Sequence, residues 1–153
     1  MKKDYILLGA LLVILAIPLF VVAPVSAAEK TELPTTEVLI ANLDPGTWTY
    51  PGDNIHIRKM VQLFRVTGAD SRVIGNNTVV MNANWQADWT GPMRGTFSFV
   101  TDEGGLWEGT WAGKMTEAGP VYTGSGKGSG IYDGMKIWVD MNYGASTVTI
   151  LEH

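Results

Sequence analysis

The sequence predicts an all-β domain, an eight-stranded antiparallel β-barrel, with a β-sandwich as the alternative. Three observations carry this expectation. From residue 37 onward the apolar residues fall in short runs with a period near two. Turn signals rich in Gly, Pro, Asn and Asp break those runs roughly every 8–12 residues. No segment there sustains the 3.6-residue apolar stripe of an amphipathic helix. About eight strands joined by short turns favour closure, because a closed barrel leaves no exposed edge.

A signal helix precedes this domain. Lys2 and Lys3 form a short basic start, and Tyr5 to Val25 runs without a charge. Val25-Ser26-Ala27 places small residues where a signal peptidase needs them. Residues 1–27 therefore read as a secretory signal, with cleavage after Ala27. The alternative is an uncleaved anchor, since about 20 apolar residues suffice to span a bilayer. Pro18 and Pro24 count against a continuous spanning helix. Either way the protein is exported, to the cell envelope or outside the cell. Membrane contact is confined to this segment, and then only if it is uncleaved.

Residues 28–36 (AEKTELPTT) are polar, contain Pro34 and show no period, so they read as a linker. The domain spans 37–153. Glu37 to Leu43 is a strand or a short helix, and Asp44-Pro45-Gly46 is a turn. Thr47 to Tyr50 is a short strand, and Pro51 to Asn54 is a turn. Ile55 to Thr67 is a longer strand with room for a bulge. Gly68 to Asn77 is a loop, and Thr78 to Thr90 is a strand ended by Gly91-Pro92. Met93 to Thr101 follows, with a hairpin turn at Asp102 to Gly105. Leu106 to Met115, Val121 to Ser129, Met135 to Tyr143 and Ser146 to Leu151 complete the series.

Composition removes several function classes. Taking away Lys2, Lys3 and Asp4 reduces 11 basic and 15 acidic residues to 9 and 14, a net charge of −5. Nucleic acid is therefore not an expected partner, because binding it requires basic clusters. The chain has no cysteine, which excludes disulfides, thiol nucleophiles and thiolate metal sites. With two histidines, one of them the last residue, an imidazole zinc site is not expected. No metal or cofactor is expected.

Alternation sorts each strand into two faces. Trp107, Gly109, Trp111 and Gly113 share one face of their strand, and Gly124, Gly126 and Gly128 share one face of the next. A hairpin around Glu117-Ala118-Gly119 with a two-residue turn sets Trp107 and Trp111 opposite glycines, whose bare backbone the rings would cover. A three-residue turn breaks that pairing. On Thr78 to Thr90, Trp85, Ala87 and Trp89 face one way. Asn82, Asn84, Gln86 and Asp88 face the other, and the solvated exterior is the simpler place for that polar row. Trp138 shares a face with Lys136 and Asp140, which marks it as a surface ring or one at a contact between subunits.

Glu108, Asp88 and Asn84 are the candidate catalytic residues. A carboxyl facing a cavity would have a raised pKa and could serve as an acid. Glu108, however, points away from the tryptophan face. Trp107, Trp111, Tyr122 and Tyr132 are the candidate ligand-binding residues, flat rings able to stack on a small molecule, although rings at such positions are more often core. The glycine run from 124 to 130 lacks Walker spacing and no helix follows it, so it is not a phosphate loop.

Several motifs taken together resemble a known group. These are Asp70-Ser71-Arg72, Asn82-Ala83-Asn84-Trp85, Thr90-Gly91-Pro92, Gly95-Thr96-Phe97, Trp107-Glu108-Gly109-Thr110-Trp111 and the segment 128–134, Gly-Ser-Gly-Ile-Tyr-Asp-Gly. The string resembles exported bacterial domains of the allene oxide cyclase and dirigent barrel superfamily, over roughly Asp53 to Leu151. The resemblance implies an eight-stranded antiparallel barrel, often a dimer or trimer, that encloses a small apolar molecule. The cyclase's catalytic cysteine has no counterpart in this cysteine-free chain, so its activity does not carry over. The expected function is a non-catalytic small-molecule-binding or structural module. One alternative is an isomerase or cyclase acting on an apolar substrate. Another is a subunit of a surface assembly.

Overall fold

The computed structural model describes residues 28–152. The signal segment and its cleavage site after Ala27 lie outside the described residues, as does His153. The described chain is all-β. Its strands are β1 (Glu29–Asp44), β2 (Thr47–Thr49), β3 (Ile55–Gly68), β4 (Gly75–Trp85), β5 (Gly91–Thr101), β6 (Leu106–Thr116), β7 (Gly119–Ser129), β8 (Lys136–Asn142) and β9 (Ala145–Glu152). Short 3-10 turns occupy Ser71–Val73 and Gly130–Tyr132.

Eight of these strands close into an antiparallel barrel in the order β1-β9-β8-β7-β6-β5-β4-β3, and β3 returns to β1. Closure depends on β1. Its first half, Glu29 to Thr35, pairs with β9. Its second half, Thr35 to Asp44, pairs with β3. This stagger is what tilted strands need in order to close on themselves. Strand β2 lies outside the barrel and continues along the same edge of β3 in unchanged register, with Asp44 opposite Val61 and Thr47 opposite Arg58.

The linker assigned to residues 28–36 is thus corrected, because most of it is the strand that seals the barrel. The Thr35 hydroxyl donates to Ser146 Oγ at 3.0 Å across that seam. Polar residues and Pro34 hid a strand whose stability comes from a partner more than a hundred positions away. Glu37 to Leu43 is strand, not helix. The room for a bulge in β3 is used between Ile57 and Met60, where Lys59 has φ of 56°. Thr78 to Thr90 is shorter than expected at its end: β4 stops at Trp85, and Gln86 to Thr90 form the turn into β5.

The hairpin of β6 and β7 has a two-residue turn, since Thr116 pairs with Gly119. Trp107 therefore lies opposite Gly128, and Trp111 lies opposite Gly124, as alternation anticipated. The covering rings are more varied than expected. The Tyr132 ring lies against Gly105, while its backbone and Cβ close over Gly128, and the Phe97 ring reaches across from β5 over both Gly109 and Gly126.

One end of the barrel is plugged. Trp107 is fully buried and stacks on Tyr132, with centroids 4.6 Å apart and planes at 15°. Its indole N–H donates to the Arg72 carbonyl at 3.0 Å, and the neighbouring Val73 is also fully buried. The Tyr132 hydroxyl bonds Thr101 Oγ1 at 3.0 Å and also Glu103. Burial, reinforced by that glutamate, pushes its pKa up to about 12. Arg72 fastens the plug from outside through Asp70 at 2.7 Å and Glu152 near the end of β9.

Candidate functional site

Above the plug the barrel is not filled. A cavity of about 360 Å³ lies among the inward faces of all eight barrel strands. Phe64, Val79, Phe97, Ile137, Val139 and Val148 supply an apolar wall, with Met81, Met93, Met115 and Met141 as adaptable fillers. The volume falls at the small end of the range for small-molecule sites. Leu39 lines this cavity and is also 46% exposed, so it marks the entrance. Among the described residues, β1 beyond Thr35 has β3 on one side and no strand on the other. The entrance lies beside that free stretch, close to Pro120 and Gly144.

Few polar groups reach the cavity wall. Among the described residues, Glu37 is the one carboxylate in it. On β1 it alternates with Thr35 and Leu39, opposite Val66 of β3, and barrel closure turns that face inward. The Tyr122 hydroxyl donates to Glu37 Oε2 at 3.0 Å. Burial is the main cause that raises the Glu37 pKa, and the Tyr122 hydrogen bond opposes it. The same burial, with the carboxylate beside it, raises Tyr122 well above the ordinary phenol range. Asn77 and Trp111 also line the cavity, and Asn77 Oδ1 and Trp111 Nε1 are buried without a protein partner. Gln62 stands near the rim, its amide bonded to Asn42 at 2.9 Å.

Of the sequence-derived candidates, Trp111 and Tyr122 come together in this cavity, with ring centroids 5.3 Å apart. Trp107 and Tyr132 belong to the plug. Glu108 is exposed on the outer wall opposite Lys127. Asp88 lies in the turn after β4, where the Thr90 N–H and hydroxyl hold its carboxyl below the usual range. Asn84 and Asn82 face outward and brace the β3 bulge, accepting from Arg58 at 2.6 Å and from the Lys59 N–H at 3.1 Å. Sequence reasoning did not single out Glu37. The available signal was an acid alternating with apolar residues in Glu37 to Leu43, but which face was inside depended on closure.

A second, broader depression of about 720 Å³ lies on the outer wall around Trp138, Arg94, Asp140 and several threonines. Its lining residues are mostly solvated, and no buried polar group there lacks a partner except Trp111, whose ring belongs to the interior. Trp138 is a surface ring, 39% exposed and paired across the sheet with Ser125 and Thr149. Among the described residues no cluster of His, Asp and Glu could hold a metal ion.

The fold and site together define a closed antiparallel β-barrel, plugged at one end, with a mostly apolar interior cavity. The chain matches no protein-family model, no curated protein and no solved structure.

The environment of Glu37 has a consequence for stability. Its pKa is raised in the folded state, so its contribution is fully present below the unfolded carboxylate pKa of about 4.3 and is lost as pH rises through the folded value. Glu37→Gln keeps an acceptor for Tyr122 but carries no charge. It is expected to raise Tm relative to the parent at about pH 8 and to change it little at about pH 4. Calorimetry at the two pH values tests this. A variant less stable than the parent at the higher pH would show that Glu37 is not desolvated.

Proposed function

We propose that this protein is an exported, non-catalytic carrier or receptor for a small, mostly apolar molecule held inside the barrel. The single observation that carries the reading is the interior cavity, which combines an apolar wall with a few buried polar groups. Such a combination is the usual make-up of a small-molecule site, where the wall supplies affinity and the polar groups supply orientation. The resemblance to allene oxide cyclase and dirigent barrels points the same way, since members of that superfamily enclose apolar molecules. Export rests on the signal-like residues 1–27, and Ala28 as the first residue of the mature protein would support it.

Val79 projects from the middle of β4 into the cavity. Val79→Phe is expected to fill the cavity and weaken binding of a fluorescent apolar probe by about tenfold or more, with the fold intact by circular dichroism. Unchanged probe affinity would mean that the probe binds elsewhere, and the cavity reading would fail.

The isomerase or cyclase alternative loses Glu108, Asp88 and Asn84, which face solvent, and rests on Glu37. Assembly into a dimer or trimer is favoured by the free edge of β1, where Val38, Ile40 and Leu43 are exposed. Native mass spectrometry of protein from its own host would report the subunit number and any retained ligand together.

A further inference from the structure

We infer that the cavity selects an apolar amine, a hydrophobic molecule ending in a protonated nitrogen. The inference rests on the ligand-binding reading above and names the chemical class of the ligand.

Charge is the first argument. Among the described residues, Glu37 is the acid of the cavity wall, and no Lys, Arg or His lines the wall with it. Tyr122 gives it one hydrogen bond, which is not a counter-ion. Glu37 is half-buried; a carboxylate partly withdrawn from water without a cation is costly, and a bound cation relieves that cost. The described residues offer no such cation here, so a ligand ammonium would supply it. A fatty acid or other anion would meet the opposite situation, a like charge and no base.

The rings are the second argument. Phe64, Phe97, Trp111 and Tyr122 all line the same space. A cation near the face of such rings is attracted by their quadrupoles, more strongly once desolvated. The buried Asn77 oxygen, which has no protein partner, is a further acceptor in the wall for an N–H or O–H donor. The Trp111 N–H is the one buried donor in the wall without a protein partner, against two acceptor groups, Glu37 and the Asn77 oxygen, and four rings, a balance that suits a ligand carrying positive charge. An alcohol of the same length could donate one hydrogen bond but would leave the charge of Glu37 uncompensated.

The test is a titration of the full chain, by displacement of a fluorescent apolar probe, with dodecylamine, dodecanol and dodecanoate kept below micelle-forming concentrations. Dodecylamine is expected to bind roughly tenfold or more tightly than dodecanoate, with dodecanol between them. Glu37→Gln should abolish most of that preference, and Val79→Phe should weaken the amine along with the probe. If dodecanoate binds as well as the amine or better, the amine assignment is overturned while the binding reading survives. If neither the probe nor any member of the series binds, the binding reading fails and takes this inference with it.

Discussion

Replacing Trp107 with alanine is expected to destabilise the protein by about 3–5 kcal/mol, the range for removing a large buried aromatic. The ring is wholly buried, stacks on Tyr132 and donates to the Arg72 carbonyl. Its loss would leave a void at the plugged end and an unpartnered carbonyl on the turn that carries Val73. Natural domains have roughly 5–15 kcal/mol of total stability, so this one change would consume a large part of it. Trp107→Phe keeps a ring for Tyr132 but removes the indole N–H, and should cost distinctly less. Urea unfolding of both variants measures the difference. A loss below about 1 kcal/mol for the alanine variant would mean that the plug is not a principal support of the barrel.

A methyl group at Gly109 or Gly126 is expected to cost about 1–3 kcal/mol, the range for overpacking a closely packed site. The two glycines are directly paired across β6 and β7. A Cβ at Gly109 would lie 2.1 Å from the Ser125 carbonyl oxygen and 2.7 Å from the Phe97 ring. At Gly126 it would lie 2.5 Å from the Glu108 carbonyl oxygen and 2.8 Å from the same ring. The obstacle is partly backbone, which cannot rotate away as a side chain can. Gly124 is the internal control. It lies on the same face of β7, but a Cβ there would find nothing nearer than 3.3 Å. Gly124→Ala should therefore be clearly milder than Gly109→Ala or Gly126→Ala. Equal losses at all three positions would show that strand propensity, and not close approach, explains the glycines.

Much of this architecture was legible in the chain. Alternation placed Trp107 and Trp111 inside, and placed Glu108, Trp138 and the Asn82 and Asn84 pair outside. Those assignments depend only on the period of two within a strand, a local property. The two-residue turn at Glu117-Ala118 set the register of the most glycine-rich hairpin, which is again local. Errors arose where a partner remote in sequence decides the outcome. Residues 28–36 lack a strand pattern, and from Glu29 they are strand because β9 pairs with Glu29 to Thr35 and β3 takes over from Thr35. Asp88 left the strand because the chain turns after Trp85, where Asp88 and Thr90 hydrogen-bond each other and stop the ladder.

The candidate site shows the same division. Trp111 and Tyr122 could be proposed from the chain because aromatic residues on glycine-rich strands stand out. Glu37 could not, because a single acid in a short apolar run has two faces to choose from. The sequence by itself determined the all-β class and the inward face of β6 and β7, since these follow from period and turn chemistry. Only the tertiary structure decided that β1 closes the barrel, that the plug leaves a cavity beyond it, and that a lone carboxylate enters that cavity. Closure and packing join residues far apart in sequence, and no local pattern encodes which remote strand will supply the missing hydrogen bonds.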